Sequence, residues 1–219
     1  MPKYKLICFD VDGTLIEGVE FSWSYLHDCF GVDKNRREKA RDDFFNQKIT
    51  YLEWALHDIG MWMEKGITKK DFLKAISVFS LMPGARETLL ALKKQGYKLA
   101  VISGSLDIIL ETMIPDYQDI FDEVFISKLI FGKDGKIKEV IATQYDMKMK
   151  AEALKLVAEK YGYSLKECVF VGDHYNDIEI MKHVGLGIAF NCKSDELRSV
   201  ADIVVNKKDL REVLTLVNA

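Results

Sequence analysis

The chain has 219 residues, of which 48% are hydrophobic and 30% are charged, and this is the composition of a globular protein that can bury a sizeable core. Its 31 basic and 34 acidic residues give a net charge of −3, without the basic excess of a dedicated nucleic-acid binder. The apolar runs are shorter than the roughly 20 residues of a membrane span, and we expect no signal peptide. The 4 cysteines form no CxxC pair, so we expect neither zinc nor disulfides and a reducing, cytoplasmic location.

Short apolar runs alternate with helical segments along most of the chain. The runs are rich in Val, Ile and Phe and apolar on both faces, as in parallel strands covered by helices on both sides. They comprise residues 5–9, 98–102, 124–126, 168–171, 187–190 and 203–205. Amphipathic helices are predicted between them, one ending at Gly96, another ending at Gly162 and a last one capped by Asn206. The alternation predicts an α/β fold with a Rossmann-like parallel sheet covered by helices on both faces.

A long segment after the first strand interrupts this alternation. Residues 15–81 contain no convincing strand, and Thr68 with Asp71 resembles a capping box at the start of the last helix in the segment. The predicted helices are 21–30, 35–46, 51–64 and 69–79. We therefore expect a small helical cap, residues 15–81, inserted into an α/β core formed by residues 1–14 and 82–219.

A second interruption lies around Asp134-Gly135. The two flanking segments, 128–131 and 137–141, are apolar and are separated by a short polar turn, which is the pattern of a β-hairpin. We expect this hairpin to be a small appendage of the core.

Polar side chains follow the predicted strands where each strand ends. Asp10 and Asp12 follow the first, and Ser103 and Gly104 follow the second. Asp173, Asn176 and Asp177 follow the strand at 168–171, and Lys150 begins the helix before it. Open α/β sheets bind ligands beyond the carboxyl ends of their strands, so these residues are expected at one edge. Each has an ordinary explanation alone, such as a turn or helix cap, but core packing gives no reason to gather them.

The charges of this group favour a metal ion. Asp10, Asp12, Asp173 and Asp177 would share a single Lys150, and two like charges about 4 Å apart repel by roughly 4 kcal/mol at an effective dielectric constant near 20. Oxygen ligands beside an anion suit Mg²⁺. A metal, a serine hydroxyl, backbone N–H groups and a lysine together suit a phosphoryl group. One carboxylate could attack phosphorus while a second acts as general acid and base.

The order of these motifs resembles that of the haloacid dehalogenase superfamily of phosphohydrolases. The ending 208–214 is similar to that of its phosphoserine phosphatase branch. The motifs are Asp10-Val11-Asp12-Gly13-Thr14-Leu15, Val101-Ile102-Ser103-Gly104, Lys150, and Gly172-Asp173 with Asn176-Asp177. The resemblance implies a Mg²⁺-dependent phosphatase that hydrolyses a small phosphomonoester, such as a phosphoserine-like one, through an aspartyl-phosphate. Its partner would be a small phosphorylated metabolite, without nucleic acid or membrane, and the protein would be a monomer or homodimer.

The resemblance also implies roles for the acidic residues. Asp10 would be the nucleophile and a metal ligand, and Asp12 would be the general acid and base with its main-chain carbonyl on the metal. Asp173 would be a further metal ligand, and Asp177 would support the water shell of the metal.

The same resemblance implies a phosphate site. Ser103 and the Gly104 amide would hold phosphoryl oxygens, and Lys150 would stabilise both the Asp10 carboxylate and the transferring phosphoryl group. Asn176 would orient the loop or bind the phosphate.

The residues that would recognise the leaving group match the family pattern less closely than the core motifs do. The phosphoserine branch uses a glutamate after the first motif, and Glu17 or Glu20 could serve, although the family spacing falls on Val19. The acidic loop also departs from the family pattern, because His174 stands where a small residue is usual and could contact the leaving group.

The phosphoserine branch also uses an arginine of the cap. The chain has Leu56-His57-Asp58 around that place, so His57 is the candidate there, while Arg36, Arg37 and Arg41 are expected on an exposed helix. Two alternatives use the same core residues: phosphotransfer to an acceptor other than water, and a non-catalytic switch that keeps its phosphoryl group.

Overall fold

The structure, a computed structural model, describes residues 3–218 as an α/β protein. The strands are β1 (Leu6–Phe9), β2 (Ile16–Glu17), β3 (Ser80–Leu81), β4 (Lys98–Leu106), β5 (Glu123–Phe131), β6 (Ile137–Ile141), β7 (Cys168–Gly172), β8 (Leu186–Phe190) and β9 (Ile203–Val205). Seven of them form one sheet in the order β6-β5-β4-β1-β7-β8-β9, and only β6 runs antiparallel to its neighbour. The expected parallel, Rossmann-like sheet is confirmed.

Helices cover both faces of this sheet. They are α1 (Ser22–Phe30), α2 (Lys34–Phe45), α3 (Tyr51–Glu64), α4 (Lys69–Ala75), α5 (Ala85–Lys94), α6 (Asp107–Met113), α7 (Tyr117–Ile120), α8 (Lys150–Lys160), α9 (Ile178–Met181), α10 (Asp195–Val200) and α11 (Arg211–Val217). No helix within residues 3–218 is long and apolar enough to cross a membrane.

The central strand β1 shows why both faces need helices. Ile7 and Phe9 belong to the apolar cluster that includes α5 and α11, whereas Leu6 and Cys8 belong to the cluster that includes α8, α9 and α10. Successive side chains of a strand point to opposite faces, so a strand that is apolar at every position must be covered on both sides. All four residues are fully buried.

The helices α1–α4 lie between β2 and β3, and we call them the cap. The expectation of no strand in residues 15–81 is wrong, because Ile16 pairs with Leu81 and Glu17 with Ser80 in a two-stranded antiparallel sheet. This pair joins the two passages of the chain between core and cap, and strands of two residues are too short to show an alternation in sequence. The capping box of Thr68 with Asp71 is confirmed.

The hairpin is more than an appendage. Its first strand continues the parallel strand predicted at 124–126, so that β5 pairs with β4 along one half and with β6 along the other. At the turn, the Lys69 amide of the cap donates to the Gly135 carbonyl at 2.7 Å, and Thr68 forms a β-bridge with Lys136. The hairpin therefore braces the cap.

Further differences concern the ends of elements and short helices. Strand β4 extends past residue 102, and α11 begins at Arg211, while the Asn206 side chain accepts a hydrogen bond from Arg198 at 2.9 Å instead of capping the helix. Helices α6, α7, α9 and α10 were not predicted. With four to seven residues each, they are too short for a helical period to be read from sequence.

Candidate active site

The carboxyl ends of β1, β4 and β7 bring the predicted site residues together. Asp10 and Asp173 directly follow β1 and β7, and Ser103 follows the regularly paired part of β4, where the register to β5 shifts. All three are nearly fully buried and line one cavity of about 510 Å³ between the sheet and the cap. Parallel neighbouring strands end at the same edge, so residues more than 150 positions apart in the chain converge there. The same cavity is also lined by Asp12, Gly104 and Asn176.

Lys150 lies at the centre of the carboxylate group and is fully buried. Its Nζ donates to Asp10 Oδ2 at 2.9 Å and to Asp177 Oδ1 at 2.7 Å, and it lies 3.5 Å from Asp146 Oδ1. Burial alone would lower the pKa of Lys150, but the charges of Asp10, Asp177 and Asp146 outweigh it and raise this pKa well above its usual value. The lysine therefore stays cationic where it meets the predicted nucleophile.

A second set of oxygens fits a metal ion. Carboxylate oxygens of Asp10, Asp173 and Asp177 lie within 4.8 Å of one another. Asp173 Oδ2 is buried without a hydrogen-bond partner among the described residues, and burial with the charges of Asp177 and Asp10 raises the pKa of Asp173 well above its usual value. An oxygen-only donor set with an unsatisfied anionic member fits Mg²⁺. The residues present therefore fit the ion that the motifs imply.

Gly13 permits this arrangement. Its φ of +73° is in the left-handed region, and a Cβ at this position would lie 2.1 Å from Asp173 Oδ2. A side chain at position 13 would push Asp173 away from the metal site. Asp177 is held from the other side, because its Oδ2 accepts hydrogen bonds from the Asp173 and His174 amides at 2.9 and 3.2 Å.

The side chain of Asp12 points away from this group. Its Oδ2 accepts a hydrogen bond from the Ser22 amide at 2.7 Å, and its Oδ1 accepts one from the Ser105 hydroxyl at 2.9 Å. Burial raises the pKa of Asp12 to about 6, although the hydrogen bonds from Ser22 oppose the shift. A carboxyl group that can be protonated near neutral pH is suited to general acid and base chemistry. Because Ser22 begins α1, the cap is directly bonded to this residue.

The cavity is also lined by Asp146, a residue that was not predicted from the sequence. Asp146 is buried, accepts a hydrogen bond from Asn176 Nδ2 at 3.1 Å, and has an oxygen that would lie 2.3 Å from a Cβ at position 104. Glycine at position 104 leaves room for this carboxylate. Asp146 stands four residues before Lys150, a spacing at which side chains of opposite charge commonly pair, and this was the signal in the sequence.

Two of the expected specificity residues lie outside the cavity. Glu17 forms a salt bridge with Lys208 at 2.6 Å beside the β2–β3 pair. His57 hydrogen-bonds to Asp58 and does not line the cavity, because Trp54, Ala55 and Asp58 occupy the face of α3 that does. The rotation of α3 about its axis, rather than the residue type, decides which of its side chains line the cavity.

The other two, Glu20 and His174, do line the cavity. His174 Nε2 lies 3.0 Å from Glu20 Oε1, so they form a pair across the boundary between cap and core. The expectation that α2 is exposed is confirmed for Arg36 and Arg41, whereas the side chain of Arg37 is only 26% exposed. Both Arg37 and Arg41 nevertheless line the rim of the cavity, which the sequence did not predict. Only Arg36 points elsewhere, to Glu64.

Comparisons with known proteins agree with this geometry. The model of the haloacid dehalogenase-like hydrolases matches residues 4–185. The phosphoserine phosphatase of Methanocaldococcus jannaschii is 33% identical over 97% of both chains. A solved structure of a phospho-aspartyl intermediate analogue of phosphoserine phosphatase is 33% identical, with a TM-score of 0.74 over 98% of this chain and 99% of that one. A substrate-bound phosphoserine phosphatase is 32% identical, with a TM-score of 0.75 over 99% of both. The chain belongs to the haloacid dehalogenase-like hydrolases.

Proposed function

We propose that this protein is a Mg²⁺-dependent phosphatase that hydrolyses a small phosphomonoester through an aspartyl-phosphate on Asp10. The observation that carries the proposal is the contact of the buried Lys150 with Asp10, next to the carboxylates of Asp173 and Asp177. Asp10 and Asp173 line the cavity, and Lys150 and Asp177 lie behind them. In this assignment Asp10, the Asp12 carbonyl and Asp173 hold Mg²⁺, which neutralises charge on the phosphoryl group when bound.

Asp10 forms and breaks the bonds to phosphorus, and Asp12 transfers the protons. An Asp10 carboxylate oxygen attacks phosphorus, the bond from phosphorus to the leaving oxygen breaks, and Asp12 gives that oxygen its proton. Asp12 then takes a proton from water, whose oxygen attacks phosphorus and releases phosphate from Asp10. Asp10 is oriented for this by its Oδ1, which accepts the Val11 amide at 2.7 Å, and by Lys150 on Oδ2.

Ser103, Gly104 and Lys150 are assigned to the phosphoryl oxygens. Ser103 Oγ accepts the Ser105 amide at 3.1 Å, which fixes its direction while leaving its own hydrogen free to donate. Asn176, tied to Asp146, orients the loop beside them. The cap covers the site and excludes bulk water, which strengthens the electrostatic interactions of these residues with the phosphoryl group.

The leaving group is a small metabolite alcohol. The names of relatives such as the Methanocaldococcus jannaschii protein support a phosphoserine-like substrate. A cytoplasmic location and a monomeric or homodimeric state stay predictions from the sequence.

The proposal is tested with purified protein, Mg²⁺ and p-nitrophenyl phosphate. Hydrolysis should be abolished by EDTA and should fall by at least about a thousandfold in Asp10→Asn, while circular dichroism shows an intact fold. Asp119→Asn, an exposed change on α7, is the matched control and should keep wild-type activity. Near wild-type turnover in Asp10→Asn would overturn the assignment of the nucleophile.

Two alternatives are separated by following the phosphoryl group. An added alcohol acceptor that gains phosphate in preference to water would indicate a phosphotransferase. A phosphorylated protein that persists for hours would indicate a switch. A phosphatase releases inorganic phosphate with rapid turnover of the intermediate.

A further inference from the structure

A buried carboxylate on the cap side of the cavity has no role in the chemistry described above. Asp58 on α3 is 3% exposed and lines the same cavity as Asp10 and Ser103. Burying a carboxylate costs free energy unless it is hydrogen-bonded, so the groups around Asp58 indicate which ligand it could bind.

The protein fixes Asp58 with two histidines. The Trp62 indole nitrogen can only donate, and it donates to His27 Nδ1 at 3.1 Å. His27 therefore carries its hydrogen on Nε2 and donates it to Asp58 Oδ2 at 3.0 Å, while His57 Nδ1 donates to Asp58 Oδ1 at 3.0 Å. Trp62 and His27 are almost fully buried, so the network is rigid.

This network leaves acceptor capacity on Asp58. A carboxylate can accept about four hydrogen bonds, and the protein provides one to each oxygen. Because Nδ1 of His27 accepts the hydrogen of Trp62, His27 donates to Asp58 as a neutral ring and does not cancel the charge of the carboxylate. Asp58 is therefore a preorganised anion at the wall of the cavity.

The basic residues of the cavity are already engaged, and they lie at its rim. Arg37 binds Asp28 and Ser24 at 2.9 Å, Arg41 binds Asp42 at 3.0 Å, and Lys34 lies 3.7 Å from Glu38. Eight carboxylates line the cavity against these three cations: Asp10, Asp12, Glu20, Asp28, Glu38, Asp58, Asp146 and Asp173. On the core side, Lys150 and the assigned Mg²⁺ offset Asp10, Asp146 and Asp173, and Asp12 carries the catalytic proton. The cap side keeps four carboxylates, Glu20, Asp28, Glu38 and Asp58, against the three cations. This remaining negative charge disfavours a carboxylate on the leaving group and attracts an ammonium group.

The remaining wall is aromatic. It is formed by Phe21, Trp23, Phe45, Tyr51, Trp54 and Tyr175. Aromatic faces attract ammonium groups, so they reinforce the preference of Asp58 for a cation.

We propose that Asp58 binds the ammonium group of the substrate, and that the substrate is the phosphate ester of a small amino alcohol without a carboxylate. This proposal rests on the proposed phosphatase function and replaces the phosphoserine-like leaving group by one that keeps the amine and lacks the carboxylate. It places the protein after a reaction that phosphorylates such an amino alcohol or releases its phosphate ester.

Three phosphate esters test the proposal on the full chain with Mg²⁺. Phosphoserine carries an amine and a carboxylate, phosphoethanolamine carries only the amine, and 2-hydroxyethyl phosphate carries neither. The kcat/KM for phosphoethanolamine should exceed the values for the other two esters by about tenfold or more. Phosphoserine turned over equally well or better would overturn the proposal and would point to Arg37 or Arg41 as the carboxylate site. Turnover of p-nitrophenyl phosphate in the same samples reports separately on the phosphatase function.

Asp58→Asn provides the second measurement. The ratio of kcat/KM for phosphoethanolamine over 2-hydroxyethyl phosphate should fall by about tenfold, mainly through KM, because the amide loses the charge. Asp43→Asn, a change on α2 of the cap at a residue that pairs with Lys39 and Lys48 outside the cavity, should keep the wild-type ratio. An unchanged ratio in Asp58→Asn would overturn the proposal.

Binding provides a readout that needs no turnover. Titration calorimetry of Asp10→Asn should show phosphoethanolamine bound about tenfold more tightly than phosphoserine. The reverse order would overturn the proposal even if the protein hydrolyses none of the three esters.

Discussion

The Trp23 indole of the cap donates a hydrogen bond to the Gly104 carbonyl of the core at 2.7 Å. Gly104 is the residue whose amide is proposed to bind a phosphoryl oxygen, and the cap holds the carbonyl of this same residue. Trp23 also stacks on Trp62, with ring centroids 5.0 Å apart. Trp23 therefore couples the position of the cap to the segment Ser103–Ser105, which we call the phosphate loop.

Trp23→Phe should weaken this coupling. The indole is replaced by a smaller aromatic ring that cannot donate a hydrogen bond. Loss of the bond removes roughly 0.5–1.5 kcal/mol and should lower kcat/KM about two- to tenfold. Steady-state kinetics with p-nitrophenyl phosphate measure this change, and the melting temperature checks that the cap is still folded. An unchanged kcat/KM would show that the bond does not position the phosphate loop.

Lys150→Ala should reduce both stability and activity. Within residues 3–218, Lys150 is the cationic side chain that contacts the buried carboxylates of Asp10, Asp146 and Asp177. Its removal leaves them uncompensated, at a cost of about 3–5 kcal/mol in the free energy of unfolding. Urea denaturation measures this loss. Lys155→Ala, an exposed change on the same helix, is the control and should alter stability by less than about 0.5 kcal/mol. Equal stability of the two variants would contradict the role of Lys150.

Magnesium should stabilise the wild-type protein. An ion that binds only the folded state at about 100 times its dissociation constant adds roughly 2.7 kcal/mol, which should raise the melting temperature by several degrees. Asp173→Asn should lose most of this response, because the unpartnered Asp173 oxygen is the one that the ion would satisfy. A melting temperature that rises equally in both proteins would place the ion elsewhere.

The pH dependence should report on Asp12, whose pKa is raised to about 6. The acid form, which protonates the leaving oxygen, is present below this pKa and is lost as pH rises through it. For an alkyl phosphate, kcat/KM should therefore fall above about pH 6 relative to that for p-nitrophenyl phosphate, whose leaving group needs no proton. The ratio of the two substrates is measured from pH 5 to pH 8, at constant Mg²⁺. Asp12→Asn should flatten it, and a ratio independent of pH in the wild-type protein would contradict this role.

Much of the core site was predictable from the sequence. Asp10, Ser103 and Asp173 each follow an apolar run that is long enough to be identified as a buried strand, and parallel strands end at a common edge. Local pattern and topology together therefore predict that these residues meet. The β2–β3 pair was not predicted, because strands of two residues are too short to show an alternating pattern and form only where they pair with each other.

The cap side of the site was decided by tertiary packing. His57 and Asp58 are neighbours in the sequence and both are polar, yet only Asp58 faces the cavity, because the packing of Trp62 and Ile59 into the apolar core fixes the rotation of α3. A rotation by one residue, about 100°, would exchange their roles. The sequence by itself determined the fold class and the chemistry at the strand ends, which follow from strand patterns and motif order. Only the tertiary structure decided which cap side chains meet the leaving group, because helix rotation depends on contacts between distant segments.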